Sequence, residues 1–455
     1  MKKLIYILIW VVPIFAFGQD SWYKSSPTEK AWKYVGNEGF STLLPEYVCF
    51  AFSQSGEPYV AFVEGKVSVM KFNGTTWVYV GSPFFSVGGA SYVSLAFSPS
   101  GEPFVAFSDG PFGKASVMKF NGSNWVYVGL QSFTSGNAYF LSLAFSQGGQ
   151  PFIAFTDGGA GGLSSVMKFN GTDWVYEGNA GFSAGQSNFT SLAFSPTGEP
   201  FVAFSDGGYF NKAVVMKFDG TNWVDVGIPG FSPNGVWYVN LVFGQSGVPY
   251  IAFQDIQFTL KSSVMKFDGT NWVFVGSQLF SPGPANYLSL AISPTGEPYV
   301  GFQDGSNVYK ASVMKFDGSN WVTVGTPGFS ADTAKYTSLA FSPAGYPYIA
   351  YSDLSPMSLA ASVQTFDSVY VNIEEVGNQP GFNICPNPAF EEITISVPQP
   401  DTKDIEVYDL RGQRLFNIRT SEMKIKMNVQ SLPSGMYLVK VTTKTSTFIG
   451  KLCRK

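Results

Sequence analysis

Residues 288–325 read LSLAISPTGEPYVGFQDGSNVYKASVMKFDGSNWVTVG, and their hydrophobic residues fall into four short runs. These are LSLAIS, PYVGFQD, ASVMKF and WVTV, parted by SPTGEP, by a variable piece and by FDGSN. The runs are rich in Val, Phe, Tyr and Trp and nearly unbroken, as strands covered on both faces are. The fixed joins combine Gly with Pro, Asn or Asp, which tight turns need for positive or preset φ. The same pattern recurs along most of the chain. Its tryptophans, Trp32, Trp77, Trp125, Trp174, Trp223, Trp272 and Trp321, stand 45, 48, 49, 49, 49 and 49 residues apart. A fixed period of that size means a solenoid, a propeller or an array. Four strands and their turns per period fit a propeller blade, whereas a parallel β-helix would repeat faster. The expected fold is all-β, a β-propeller of four-stranded blades.

The block of first and second strands occurs seven times, beginning near Phe50, Leu95, Leu143, Leu192, Leu241, Leu290 and Leu339. The VMKF strand occurs six times, with a weaker seventh copy, SVQTF, at 362–366. The Trp strand has its first copy, AWKYVG at 31–36, ahead of any complete unit, and lacks one after Phe366. The N-terminal strand is therefore expected to complete the last blade as its outermost strand, closing a seven-bladed propeller over residues 20–367 and hiding a sheet edge. This closure resembles that of WD-repeat propellers, although the WD dipeptide is absent. With the Trp strand outermost, LSLAIS lies nearest the axis, and Ala51, Ala96, Ala144, Ala193, Ala291 and Ala340 fall where blades crowd together.

Recurrence assigns the seven Trp to packing between blades. It assigns Asp109, Asp157, Asp206, Asp255, Asp304 and Asp353, with Glu64 in the first unit, to holding loop amides. One carboxylate per turn is too few for a calcium loop, and no metal is expected. The FDGTNW and FNGSNW turns resemble the Asp-box of sialidase-type propellers, departing from it by one residue between Asp and Gly. That box is a structural turn and implies no activity.

Of 455 residues, 45% are hydrophobic and 13% charged, with 49 Gly and 28 Pro, which suits a large β structure with many turns. The three cysteines, Cys49, Cys385 and Cys453, are too few for a disulfide framework, though Cys385 and Cys453 share the C-terminal region and could pair. The N-terminus, MKKLIYILIWVVPIFAFGQ, reads as a secretory signal peptide over residues 1–18, cleaved after Gly18. Its apolar stretch is short for a span, so no transmembrane segment is expected after cleavage. Residues 20–367 hold 15 Lys against 23 Asp and Glu, a balance of −8, and an acidic body without an arginine cluster argues against nucleic acid.

After Phe366 the repeat stops, 368–383 reads as a linker, and 384–455 as a separate domain of short strands. The pieces ICPNPAFEEITI, IEVYDLRGQRL, VQSLPSGMYLVKV and GKLCRK follow one another there. This ordered set resembles the C-terminal sorting domain of cargo of the type IX (Por) secretion system. Pro386, Asn387, Pro388, Asp409 to Gly412, Leu432 to Tyr437 with Gly435, and Lys451 to Lys455 carry the match. Cys385 stands where the family often has an aromatic residue. The resemblance implies a small Ig-like β-sandwich, the type IX machinery as partner, and passage through the periplasm and across the outer membrane. It also implies removal of the domain outside, leaving a released or surface-attached protein.

All four arginines, Arg411, Arg414, Arg419 and Arg454, lie in the tail, and the chain has no histidine. A Ser-His-Asp triad and a histidine metal site are thereby excluded, as is a sialidase, whose family binds substrate through several arginines. No cofactor is expected. A two-carboxylate glycosidase or lyase acting on polysaccharide survives as an alternative, with Glu38, Glu46 and Asp332 as unrepeated acids in variable loops. A passive surface or matrix component is a second alternative. The reading favoured is a monomeric secreted binding or adhesion module for a glycan or protein. The 1–2 and 3–4 turns of each blade share one rim and are nearly identical, so the variety falls on the 2–3 and 4–1 loops of the other rim. Phe112, Tyr209, Phe210, Trp237, Phe258 and Tyr309 are unrepeated aromatics of those loops and the candidate ligand-binding residues. With few charges nearby, they favour a neutral glycan or an apolar protein patch.

Overall fold

The computed structural model describes residues 30–257, 259–355, 358–368, 381–398, 400–409, 414–444 and 446–454. Residues 1–18, read above as a signal peptide, and most of 368–383, read as a linker, lie outside these, as do Phe258, Gly412 and Lys455. Two compact units are present, one of them Lys30–Asp367 and the other containing the C-terminal region from Ser368.

Unbroken apolar runs need cover on both faces, and the first unit supplies it by standing seven sheets against one another. Each sheet has four antiparallel strands laid down in order from the inside outward, as in Ala90–Phe97, Pro103–Asp109, Lys114–Phe120 and Trp125–Tyr127. The innermost strands, Glu46–Phe52, Ala90–Phe97, Ala138–Phe145, Ser187–Phe194, Val236–Phe243, Ala285–Ile292 and Ala334–Phe341, open blades 1 to 7. Each touches the next around a complete circle, blade 7 meeting blade 1. The fold is a seven-bladed β-propeller. Its seventh sheet runs Ala334–Phe341, Pro347–Ser355, Ser358–Ser368 and then Lys30–Tyr34, the first described strand in the chain and the last in the sheet.

Second strands are the most deeply covered, with every residue of Pro103–Asp109 buried. At their centres Phe62, Phe107, Phe155, Phe204, Phe253 and Phe302 are essentially without exposed surface, and Tyr351 takes that place in blade 7. Burying one such ring contributes about 2–3 kcal/mol.

The tryptophans join blades. Each indole N–H donates to a carbonyl at the end of the outer strand of the blade before it, 2.6–2.7 Å away. Trp125 reaches Val80, for example, and Trp77 reaches Val35 on the N-terminal segment. Each ring also stacks on a phenylalanine of the connecting loop, Phe85 on Trp125 and Phe40 on Trp77 among them, at 3.9–4.8 Å between centroids. Glycine follows the outer strand because nothing larger fits: Gly81 has φ +70, and a Cβ there would lie 2.9 Å from the Phe120 ring. A second circle of bonds runs nearer the axis. The N–H of Leu143 donates to Ser94 Oγ, that of Leu192 to Ser142 Oγ, and so on around to Phe50 on Ser338. Cys49 fills the serine place in blade 1, its sulfur accepting from Leu95 at 3.3 Å.

The C-terminal unit packs a three-stranded sheet (Asn383–Cys385, Glu392–Ser396, Lys424–Asn428) with a four-stranded one (Arg414–Thr420, Lys403–Asp409, Gly435–Thr442, Thr447–Arg454). Ile393, Ile395, Ile405, Val407, Val439 and Leu452 share one core. The Asn387 side chain donates to the Lys451 carbonyl and accepts from the Cys453 N–H, fastening the last strand to the start of the domain. The Tyr437 hydroxyl donates to the Pro433 carbonyl at 2.6 Å, and Lys451 is exposed. All three cysteines are free thiols.

The seventh blade should be as strong as its outermost strand. Trp32→Ala should cost about 3 kcal/mol in urea unfolding, since the ring is half-buried between Phe329 and Phe366. A chain beginning at Tyr47 should melt well below the parent, and equal melting temperatures would show that the strand closes nothing.

Candidate functional site

The two rims are built differently. On one, the 1–2 turns repeat a single plan, in which Glu102 N–H donates to Ser98 Oγ and Gly101 N–H to the Ser98 carbonyl. The 3–4 turns repeat another: Asn121 Oδ1 accepts from the N–H groups of Ser123 and Asn124, and Asp219 does the same for Thr221 and Asn222. A groove of about 580 Å³ lies between blades 2 and 3, lined by Glu102, Phe104, Lys119 and Phe169. Its Glu102–Lys119 ion pair recurs as Glu57–Lys71, Glu199–Lys217 and Glu297–Lys315, so the groove belongs to the repeated blade interface.

On the other rim the 2–3 and 4–1 loops meet, as where Gly110 N–H donates to the Gly89 carbonyl and Gly207 N–H to that of Gln186. The strand-ending aspartates hold this rim: Asp157 accepts from Gly159 N–H, and Asp206 from Gly208 and Gly185 N–H. The 4–1 loops are not wholly variable. Each carries a Phe–Ser or Phe–Thr pair whose hydroxyl accepts from an N–H near the start of a neighbouring third strand, as Thr134 does from Ala115.

Four of the aromatics singled out in the sequence are open to solvent: Phe112 at 71%, Phe210 at 86%, Tyr309 at 48% and Trp237 at 44%. Phe112 borders a hollow of about 330 Å³ with Val87, Gly110 and Gln131. Tyr209 does not belong with them. Its ring packs inward on the cluster holding Phe204 and Trp223, lying over Gly230, whose Cα leaves it room. Phe258 lies outside the described residues. The four exposed rings are spread over blades 2, 4, 5 and 6, and no ring contact joins one to another among the described residues.

Trp237 opens onto a feature that the sequence reading missed. Tyr47, Tyr92, Phe140, Phe189, Tyr238, Tyr287 and Tyr336 each lie third in, or second in, the innermost strand of their blade. Each has φ between +50 and +55, at a bulge that turns its side chain out of the pleat. The rings form a closed collar around the axis, neighbours 4.7–5.3 Å apart at their centroids. Five of the seven carry hydroxyls, and phenols two blades apart still act on each other: Tyr287 on Tyr47, and Tyr238 on Tyr336. Burial pushes Tyr47 and Tyr238 up to about 12, and raises Tyr92, Tyr287 and Tyr336 too, with neighbouring phenols or the Glu46 carboxylate adding to it. These side chains stay neutral at any physiological pH.

One residue ahead of the collar, toward the variable rim, stand Glu46, Ser91, Tyr139, Asn188, Trp237, Asn286 and Lys335. All are exposed or half-exposed. Glu46 acts on Tyr47, Tyr287 and Tyr336, on three different blades, which places its carboxylate at the axis. Tyr139 lies edge-on to Tyr92 at 5.9 Å. Asn286 is braced, its amide donating to Gln303 and accepting from Gln254, both at 2.8 Å. This is an axial mouth floored by the collar. Aligning the repeats gives its signature, a column of unlike residues beside a column of aromatics.

The unrepeated acids separate. Glu38 and Asp332 come together around Asp353 in blade 7, while Glu46 lies at the axis. Asp353 is fully buried, accepts from Ser355 N–H at 3.1 Å, and has its other oxygen without a partner. Burial first, then the Glu38 and Asp332 carboxylates, push it up to about 6. With no exposed surface, it cannot reach a substrate. Among the described residues no group of acids or cysteines is arranged to hold a metal.

Residues 383–455 match the secretion system C-terminal sorting domain family, which marks the chain for type IX export to the cell surface or extracellular space. Among the described residues no helix is long and apolar enough to cross a membrane. No curated protein matches in sequence. Among solved structures, PorZ of Porphyromonas gingivalis, a surface component of the type IX secretion system, is 13% identical, with 89% of this chain and 59% of that one covered and a TM-score of 0.47. The chain thus spans less than two thirds of that relative's length. YCF48 bound to D1 peptide is 13% identical over 75% of this chain and 97% of that one, with a TM-score of 0.51. A polysaccharide lyase that cleaves ulvan is 11% identical over 74% and 95%, with a TM-score of 0.48. At such identities the likeness is one of fold.

Two outcomes follow. Deleting 383–455 should leave a folded propeller in the periplasm on cell fractionation, and delivery of that chain to the surface would contradict export by the tail. The collar should set the alkaline limit of stability. Its phenols have folded-state pKa values above their ordinary 10, so their contribution is complete below pH 10 and is lost as pH rises through about 12. Melting temperature should therefore fall over that window, and fall less in Tyr238→Phe. An identical alkaline profile in the variant would remove the collar from the explanation.

Proposed function

We propose that this chain works outside the cell as a binding or adhesion module, taking a glycan or protein ligand on its variable rim, centred on the axial mouth. One observation carries the reading. Along the strands and on the uniform rim, equivalent positions mostly hold the same or similar residues, because each answers the same packing demand. At the mouth, seven equivalent positions hold six residue types, two of them large exposed aromatics. Packing places no demand there, and variety on a rigid frame is how recognition surfaces are built. Phe112, Phe210 and Tyr309 on the surrounding loops extend the surface outward, two blades apart. Sorting by the tail accords with a ligand met at the surface or beyond it.

The test is a binding screen of the purified full-length protein against glycans and surface proteins. Trp237→Ala combined with Phe210→Ala should weaken a bound ligand by about tenfold or more, while the melting temperature moves by only a few degrees. Ser100→Ala on the uniform rim should leave binding unchanged. If only uniform-rim substitutions affected the ligand, the binding face would be the opposite one. Binding to nothing in the screen would favour a passive surface component.

A further inference from the structure

We infer that the ligand of the axial mouth is an uncharged saccharide, an assignment that rests on the mouth being the binding site. The first support is charge. The mouth has one acid, Glu46 on blade 1, and one base, Lys335 on blade 7, side by side around the circle and cancelling in sum. The mouth's own residues thus carry no net charge to draw in a charged ligand, and the propeller has no arginine to clamp a carboxylate or sulfate.

The second support is the kind of surface. Tyr139 on blade 3 and Trp237 on blade 5 are exposed at 38% and 44% and flank Asn188 on blade 4. Aromatic faces beside an amide suit a sugar, whose C–H face packs on the ring while its hydroxyls need donors and acceptors at the edge. Glu46 offers an acceptor, Lys335 a donor and Asn188 both. None of the three has a hydrogen-bond partner among the described residues. Asn286, held between Gln303 and Gln254, is already oriented, so less ordering is needed when a ligand arrives.

The third support counts against a protein. A stable protein interface covers about 800 Å² on each partner around a continuous apolar centre. On this rim the exposed apolar residues are scattered over the loops of several blades, Val87 beside Phe112, Leu130, Phe210, Ile228 and Val308 among them, and none lies in the mouth itself except Tyr139 and Trp237. The collar bears on how the sugar is bound. Its closed ring of side chains floors the mouth one residue down, so a glycan rests on the rim and does not thread the axis.

The experiment is calorimetric titration of the full-length protein with neutral glycans (laminarin, xylan, mannan and starch) and with anionic ones (alginate and heparin). At least one neutral glycan should bind, and its Kd should change by less than about twofold between roughly 50 and 500 mM salt, because no ion pair is made. Trp237→Ala and Tyr139→Ala should each weaken it by about tenfold, and Ser100→Ala on the uniform rim should not. Binding confined to alginate or heparin, or to proteins in the wider screen, yet still lost in Trp237→Ala, would overturn the sugar assignment and leave the mouth standing. A neutral glycan bound equally well by the Trp237→Ala and Tyr139→Ala variants would overturn the mouth itself. Circular dichroism of each variant would distinguish a lost site from a lost fold.

Discussion

Seven indole N–H groups, each donating to a backbone carbonyl one blade back, hold the circle shut, and most other features follow from that. A blade cannot bury both faces alone, so each is stable only between two neighbours. The bond from Trp77 to Val35 and that from Trp32 to Val324 bring the N-terminal strand into the same circle. The second of them closes it from the other end of the repeat region, across 292 residues. The inner circle of serine-to-amide bonds and the collar of seven aromatics repeat the closure at smaller radius. Three concentric rings therefore fix the blades, and in the variable loops structural duty falls mainly on the Phe–Ser or Phe–Thr pair, which leaves many of their solvent-facing positions without one.

Where the repeat is broken, the break has a local cause. Blade 7 is assembled from both ends of the repeat region, and it alone replaces buried Phe and Met by Tyr351 and Gln364. The Gln364 amide donates to the Tyr351 hydroxyl at 2.8 Å, and Tyr34 on the closing strand comes close enough to Tyr351 and Glu38 for each to act on its phenol. The incoming strand thus meets polar groups that the phenylalanine-centred blades do not offer, and a buried network of this kind is specific because any mispairing leaves its members unsatisfied. Asp353 shows the cost of the same seam. In blade 3 the equivalent Asp157 accepts from Ser165 and Tyr176, while in blade 7 the corresponding tyrosine is turned to Tyr351 and Glu38. Asp353 is left with an unpartnered oxygen among acids and a raised pKa.

The mouth differs in kind, because its variety answers to no seam. Glu46, Tyr139, Trp237 and Lys335 stand in a column of unlike residues at the axis, where all seven blades present equivalent positions. The outer loop aromatics are as variable but lie two blades apart. Convergence at the axis is what separates the two sets.

The sequence by itself determined the fold, the strand order within a blade and the sorting tail. All of these rest on local spacing: a 49-residue period, a turn residue at each joint, an ordered run of motifs near the C-terminus. Six loop aromatics could also be found in the sequence, because an unrepeated residue stands out against a repeat. Tyr209 and Trp237 look alike on that test, and only the tertiary structure sends one ring under Gly230 and the other to the axis. The collar lay in plain sight as a column of aromatics, but a strand of alternating burial gives no reason to expect φ near +50 at its third residue. That turn is set by crowding where seven blades meet, a demand imposed by neighbours about 49 residues away along the chain, and so it exists only once the circle has closed.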